Sequence, residues 1–325
     1  MATTRVVLIG AGAVARRHAT VLGAFDDVVL AGVTDVDPGA AEALGALAGV
    51  PVFAGLDALL DGAEPDAAYV CVPPFAHGHP ERTLIEAELP FFVEKPLGAS
   101  LDVAEELAAG VSERGLVTAT GYHWRHLDGM ERARALLAER PARLVTGAWL
   151  DKVPPPAWWR SAAKSGGQIV EQATHVLDCM LDLLGDVEHV YAVGAPTARE
   201  AYPDADVDAA TTAVLRFAGG AVGSLAATSL LSGKHRASLE LVCEGLRIEV
   251  AETHSAVDDG GGAVVHDEDP DAAKRRVDRA FIDAVQGRPG TVRTPYDVAL
   301  RTHRVGCAIA RSAAEGAPVD LAVAA

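Results

Sequence analysis

The chain has 325 residues, half of them apolar, and a formal net charge of −17 at pH 7. One hydrophobic core seldom serves such a length, so two domains are expected; the acidic balance excludes a phosphate backbone as partner, and no apolar run reaches the roughly eighteen residues of a membrane span. Four scattered cysteines (Cys71, Cys179, Cys243, Cys307) form no CxxC pair, which excludes a zinc or disulfide framework and fits a reducing cytoplasm.

The N-terminal "MATTRVVLIGAG" passes from a polar start into a β-branched run and glycine, without the apolar stretch of a signal peptide. Residues 5–9 read as a buried parallel strand, and "GAGAVARRHATVLGAF" as a tight turn opening a helix. "VVLAGVTDVD" is a second strand, followed by a helix with proline at its start. "DAAYVCVPP", "PFFVEKP" and "LVTATGY" are further strands separated by helices. Such alternation predicts an N-terminal α/β Rossmann domain, a doubly wound parallel sheet, over residues 1–121.

After a helix near 127–139, six strands from "RLVTGAWL" to "LRIEVAE" follow with short turns, several alternating polar with apolar residues. Residues 122–325 are therefore expected to form an α+β domain for substrate binding and oligomerisation, built on a large, mainly antiparallel open sheet. The glycine-rich acidic stretch 255–272 reads as a surface loop or hairpin, with His266 solvated rather than metal-bound. No metal site is expected. A long terminal helix, about 296–315, is expected to pack back on the Rossmann domain.

Gly10, Gly12 and Ala15 form GxGxxA directly after a strand and at the start of a helix. Gly10 permits the tight turn, Gly12 lets a pyrophosphate approach, and Ala15 allows close helix–strand packing, while the N–H groups at Ala13 and Val14 favour the anion. Asp35 closes the second strand, where a carboxylate takes the adenosine ribose hydroxyls. It would repel a 2′-phosphate, and Thr34, Val36 and Asp37 offer no arginine to receive one. NAD is thus the expected cofactor and NADP the less favoured one.

Five lysines stand against twenty-three arginines, so a lysine at a strand end draws notice. In "FFVEKPLG", Glu94, Lys95 and Pro96 follow a parallel strand at the end where open α/β sheets bind ligands. Lys95 there serves either as a donor to a developing alkoxide or as half of an ordinary surface ion pair. Further on, "SGGQIVEQATHVLDCML" sets Gly166 and Gly167 before what reads as one helix. Glu171, His175 and Asp178 fall at i, i+4 and i+7 on one face, with Val170, Ala173, Leu177, Met180, Leu181 and Leu184 opposite. A solvated outer stripe predicts the same periodicity. Against it, no lysine or arginine on the stripe balances three carboxylates, counting Asp182, and the glycine pair lets a backbone or ligand come close.

These stretches together resemble the Gfo/Idh/MocA oxidoreductases, the group around glucose-fructose oxidoreductase and inositol 2-dehydrogenase. The likeness runs along nearly the whole chain, through "GAGAVARRHA" with Asp35, "DAAYVCVPPFAH", "FFVEKPLG", "SGGQIVEQATHVLD" and "PYDVALRTHRVGCAIARSAAEGAPVDL". It implies that Lys95 is the active-site lysine and that His175 exchanges a proton with the substrate hydroxyl. Glu171 stands where many members have aspartate, and either touches substrate or orients His175; Asp178 is expected to be structural or to stand behind the site. Pro73, Pro74, His77 and Glu94 are expected at the cofactor, with helix capping an alternative for His77. Pocket walls are expected from "GYHWRH" (His123, Trp124, Arg125) and "PPPAWWRSAAKSGG" (Trp158, Trp159, Arg160). Tryptophans there either stack on a sugar ring or pack in the core, and the arginines either bind hydroxyls or form ion pairs. His18, His189, His235, His254 and His303 receive no role.

The implied activity is hydride transfer between nicotinamide and a secondary alcohol or ketone of a sugar, cyclitol or related polyol, by a homodimer or homotetramer. Two alternatives stay open: an NAD-dependent enzyme of the same fold with other chemistry (glycosidase, imine or enone reduction, sugar-nucleotide pathway), and a catalytically inactive NAD-binding regulator.

Overall fold

In the computed structural model, which describes residues 3–196, 200–290 and 292–322, the chain divides into two units. One holds the residues up to Gly98, Asp102–Gly121 and Lys274–Leu300; the other holds Ala99–Leu101, Tyr122–Ala273 and the residues from Arg301 on. The first unit is therefore not a continuous stretch ending at 121, because a C-terminal piece joins it. The terminal helix is shared out at the same point, since Leu300 counts with the first unit and Arg301 with the second.

Up to Gly121 the chain runs β1 (Thr4–Ile9), α1 (Ala13–Leu22), β2 (Val28–Thr34), α2 (Pro38–Ala48), α3 (Leu56–Ala63), β3 (Ala67–Val70), α4 (His79–Glu86), β4 (Phe91–Val93), α5 (Leu101–Arg114) and β5 (Thr118–Thr120). Among the described residues these five strands form one parallel sheet in the order β2-β1-β3-β4-β5. The strands β3, β4 and β5 are buried along their whole length, as strands covered on both faces must be. Since β1 lies between β2 and β3, the chain order reverses there, and the crevice beyond the carboxyl ends of β1 and β3 is where such sheets take ligands.

The second unit contains α6 (Asp128–Glu139), β6 (Leu144–Leu150), α7 (Ala162–Ser165), α8 (Gly167–Glu171) and α9 (Thr174–Leu184). Its sheet continues with β7 (Val187–Ala195), β8 (Ala210–Phe217), β9 (Val222–Thr228), β10 (Arg236–Cys243), β11 (Leu246–Ala251), β12 (His254–Asp258), β13 (Val264–Asp267) and β14 (Val319–Asp320). The nine strands among the described residues are ordered β13-β12-β11-β10-β6-β9-β8-β7-β14, antiparallel except for the β6–β9 pair. Along β8, Thr211, Ala213, Leu215 and Phe217 are buried while Thr212, Val214 and Arg216 are exposed, the period-two pattern of a sheet covered on one face. Over β6 the helix α9 sits so close that a Cβ on Gly147 would overlap Met180 and Val176; glycine makes that seat.

The acidic stretch 255–272 is the β12–β13 hairpin, and it leads into a helix the sequence did not announce, α10 (Pro270–Val285). Val277, Phe281 and Ile282 on α10 enter the core of the first unit, with the Phe281 ring 5.5 Å from Tyr69 and 5.9 Å from Phe92, edge-on to both. Arg279 and Arg288 clamp Asp27 at 2.8 and 2.7 Å. The Arg279 hydrogen bond does most to hold the Asp27 carboxyl at about 2. The last helix, α11, spans Tyr296–Glu315. Among the described residues no helix is long and apolar enough to cross a membrane.

Candidate active site

The glycine turn after β1 has the geometry its sequence requires. Gly10 has φ of +96°, and a Cβ there would overlap the carbonyl oxygen of Cys71 at the end of β3, so no larger residue fits. At Gly12, by contrast, a Cβ would meet nothing within 4 Å. Gly12 is the N-cap of α1 and no side chain caps that helix, so the first turn, with Ala13 and Val14 exposed, presents its N–H groups outward. Ala15 is fully buried against the strand layer. Asp35, just past β2, accepts from the Ala11 N–H at 2.6 Å and the Asp37 N–H at 2.8 Å, which ties the glycine turn to the second strand. Open space at Gly12, an uncapped helix end and a carboxylate at the end of β2 together fit the pyrophosphate and adenosine ribose of a dinucleotide.

After β3, Pro73 is half-buried and Pro74 opens a short 3-10 turn ahead of His77. Capping α4 falls to Glu81, not to His77. The buried Glu81 carboxylate accepts from the Gly78 N–H at 2.7 Å and lies 2.5 Å from His77 Nδ1. Burial pushes the Glu81 carboxyl up, but His77 and the Gly78 N–H bring it below its ordinary value. Beyond β4, Glu94 is buried and Lys95 half-buried, and the Lys95–Pro96 peptide bond is cis. Glu94 Oε1 is 3.0 Å from Arg17 and 2.9 Å from His18, while its Oε2 accepts from the Lys95 N–H at 3.3 Å. Its oxygens are thus engaged by the chain's own donors, a use the cofactor role foreseen for Glu94 did not anticipate.

In the second unit the glycine pair adopts left-handed backbone, with φ of +75° at Gly166 and +82° at Gly167. The single helix foreseen after it is two. Between α8 and α9, the Ala173 N–H reaches back five residues to the Gln168 carbonyl at 3.0 Å, and the His175 N–H only three, to Gln172, at 3.4 Å. One wide and one tight turn break the 3.6-residue register, so the regular stacking of Glu171 on His175 is lost; such irregular turns recur at functional sites.

The stripe is not a wet outer face. His175 and Asp178 are buried, and Glu171 is half-buried. The missing cations come from elsewhere in the chain. Arg125, buried in the 3-10 turn His123–His126, grips Asp178 with two 2.7 Å hydrogen bonds and Asp182 at 2.9 Å. Arg134 also pairs with Asp182, at 2.5 Å, and the Thr302 hydroxyl donates to Asp178 at 2.8 Å. Burial raises the Asp178 carboxyl above its usual range, and Arg125 offsets only part of that. Of the two roles open to Arg125, the structure shows the ion pair, and Asp178, expected to be structural or behind the site, is its partner, so that together they bolt the 3-10 turn to α9.

Around His175 stand rings from several elements: His123 at 5.0 Å, Trp149 at 5.9 Å, Tyr122 at 6.0 Å and Trp124 at 6.1 Å between centroids. Trp124 is 1% exposed and belongs to the core, and Trp159 is 0% exposed, so neither offers a ring face to a sugar. Trp159 instead donates its indole N–H to Glu171 Oε2 at 2.9 Å. Trp158 remains half-buried, and Arg160 pairs with Asp204 at 3.2 Å. Trp149 and the His18 contact were missed from sequence. Trp149 had a readable signal, since it shares the buried face of β6 with Val145 and Gly147. Among the described residues no cluster of histidine, cysteine or acid is arranged to hold a metal ion.

A family profile for the oxidoreductase family with an NAD-binding Rossmann fold (GFO_IDH_MocA) matches residues 4–122, and one for the GFO/IDH/MocA C-terminal domain matches residues 141–249. The 2,7-anhydro-N-acetylneuraminate hydratase of Escherichia coli is 24% identical, over 73% of this chain and 68% of its own. The myo-inositol 2-dehydrogenase of Thermotoga maritima is 27% identical, over 67% of this chain and 66% of its own. Levoglucosan dehydrogenase, solved in complex with NADH, superposes with a TM-score of 0.88 over 99% of this chain and 100% of its own, at 20% identity, a likeness of fold. With its glycine turn, its Asp35 carboxylate and both domains matched, the chain belongs to the Gfo/Idh/MocA family and is an NAD-binding oxidoreductase.

Proposed function

We propose that the enzyme is a dehydrogenase or reductase acting on a CH–OH group of a sugar, cyclitol or related polyol, with NAD preferred over NADP. The myo-inositol dehydrogenase among its relatives supports the substrate class. Asp35 supports the cofactor choice, since a carboxylate just past β2, tied to the glycine turn, repels a 2′-phosphate. When bound, the nicotinamide accepts or returns a hydride at carbon. Every other part of the chemistry belongs to the chain. His175 takes the hydroxyl proton as base, a task suited to an imidazole at neutral pH. Lys95 stabilises the charge that grows on the same oxygen. Glu171, held by Trp159, orients the proton path or touches substrate directly. The observation that carries this reading is the family architecture with Lys95 just beyond the carboxyl end of β4.

A screen of cofactor reduction against sugars, inositols and uronic acids, followed by Lys95→Ala and His175→Ala on the substrate found, tests it. Loss of turnover by orders of magnitude in both variants is expected; turnover within a few-fold of wild type in either refutes the assignment. NADPH turned over much better than NADH would refute the cofactor preference. The hydratase among the relatives favours one second reading, in which the cofactor is reduced and reoxidised within a single turnover. Product forming with no net change in cofactor absorbance would select it.

The same reading includes assembly and place. Tyr191, Val193, Val214, Val222 and Leu144 lie exposed on the outer face of the nine-stranded sheet, which supports a homodimer or homotetramer closing that face. Light scattering that finds only monomer at micromolar concentration counts against it. Free cysteines at Cys71, Cys179, Cys243 and Cys307 suit a cytoplasmic enzyme.

A further inference from the structure

We propose that Asp278, His18 and Glu94 form a buried charge relay that positions the backbone of Lys95, making His18 and Asp278 positioning residues for the reaction. The proposal rests on the role given to Lys95 above. His18 and Asp278 are both 0% exposed. One ring nitrogen of His18, Nδ1, lies 2.8 Å from Asp278 Oδ1, and the other, Nε2, lies 2.9 Å from Glu94 Oε1. The Nδ1 contact is an ion pair off hydrogen-bond alignment, and Arg17 Nη2 stands 3.0 Å from Nε2; two buried carboxylates within 3 Å of the ring outweigh that one guanidinium and favour the imidazolium. Glu94 in turn receives the Lys95 N–H on its second oxygen, at 3.3 Å. Gly121, beyond β5, makes room for this carboxylate, since a Cβ there would stand 2.5 Å from both Glu94 oxygens.

The alternative for Asp278 is a purely structural acid, and its surroundings argue against that. It lies on α10 next to Val277 and three residues before Phe281, a helix face that packs on Tyr69 and Phe92. The His18 ring itself is 5.0 Å from each of Tyr69 and Phe92. A carboxylate sunk among aromatic rings is costly unless its charge is used. Here it keeps His18 charged, and His18 then offsets the second buried carboxylate, Glu94, from inside while Arg17 does so from the rim.

The charged and titratable groups facing the ring are Arg17 from α1, Tyr69 from β3, Glu94 after β4 and Asp278 from α10, with Cys71, Lys95 and Arg279 acting on Tyr69 or Glu94 behind them. Burial alone would pull the His18 imidazole down, yet Asp278, and after it Glu94, lift it above its ordinary value. Protonation is therefore kept to higher pH than in a free imidazole and lost as pH rises past the raised value.

Two measurements test the relay. In the intact protein labelled with 15N-histidine, both His18 ring nitrogens should give imidazolium shifts at about pH 7, whereas Asp278→Asn should move the ring towards the neutral form at that pH. A neutral wild-type His18 at about pH 7 overturns the proposal, and this reading needs neither substrate nor a variant that folds. Kinetically, Asp278→Asn should lower kcat about tenfold at about pH 8, with KM and NADH affinity within about twofold of wild type. The gap should narrow at about pH 6, since protonation of the ring rises as pH falls. A kcat ratio that stays constant between those pH values overturns the positioning role and leaves Asp278 structural. Should the wild type turn over no polyol at all, the dehydrogenase reading fails while the ring shifts still decide the relay.

Discussion

Replacing Asp178 by asparagine keeps the shape of the side chain and deletes one charge from a buried cluster. Asp178 is 0% exposed and receives two 2.7 Å hydrogen bonds from Arg125 and one of 2.8 Å from Thr302. Removing one partner of such a pair costs about 3–5 kcal/mol, because the surviving charge is stranded. Asp182 stays 2.9 Å from Arg125 and keeps part of the compensation, so a loss of about 2–3 kcal/mol is expected. For a unit of this size that lowers Tm by roughly 4–12 °C. All four tryptophans (Trp124, Trp149, Trp158 and Trp159) lie in the second unit, so a urea melt followed by indole fluorescence reads that unit selectively. The double variant Arg125→Met/Asp178→Leu should recover most of the loss, an apolar pair replacing the ion pair at little net cost. A single-variant loss below about 0.5 kcal/mol, or a double variant no better than the single, would refute the view that charge compensation holds the 3-10 turn to α9.

The two glycines of the cofactor turn should separate fold from binding. Gly12→Ala places a methyl in open space on extended backbone, so melting should hold while NADH affinity, read by fluorescence titration, falls tenfold or more. Gly10→Ala should lower both, with a stability loss of at least about 1–3 kcal/mol from its φ of +96°; equal behaviour of the two variants would contradict this. Trp159→Phe keeps the buried ring and removes the donor to Glu171, so kcat/KM should drop about tenfold with Tm nearly unchanged. Unaltered kinetics would mean that Glu171 needs no anchor. Glu94 and Asp27 are both held at about 2, below their ordinary carboxyl values. Their contribution to stability is present above about pH 4 and lost as pH falls from there to about 2. Circular-dichroism melts that stay flat across that window would count against it.

Much of the fold was legible because its signals are local. A left-handed turn demands glycine at residue 10, and short apolar runs between helices announce a parallel sheet. The alternation along β8 likewise announces a one-sided sheet. α10 was not foreseen, although Ala273, Val277 and Phe281 recur every fourth residue, because Asp278 and the flanking arginines make the segment read as surface. The break between α8 and α9 contains neither glycine nor proline, and only hydrogen bonding to Gln168 and Gln172 reveals it. For the candidate site, the roles of Arg125 and His18 depend on partners more than fifty residues away, and that of Trp159 on one in a different helix. Sequence could name those residues but not what they grip.

Because the part of α10 that joins the first unit is encoded after residues 122–273, the bulk of the second unit, a ribosome finishes the cofactor-binding half of the molecule late. Until Phe281 emerges, the aromatic pair Tyr69 and Phe92 lacks its cover and His18 lacks its acid. A nascent N-terminal segment is thus exposed and aggregation-prone through most of translation. Excising residues 1–121 for use as a stand-alone NAD module should yield insoluble material unless the α10 peptide is restored to it.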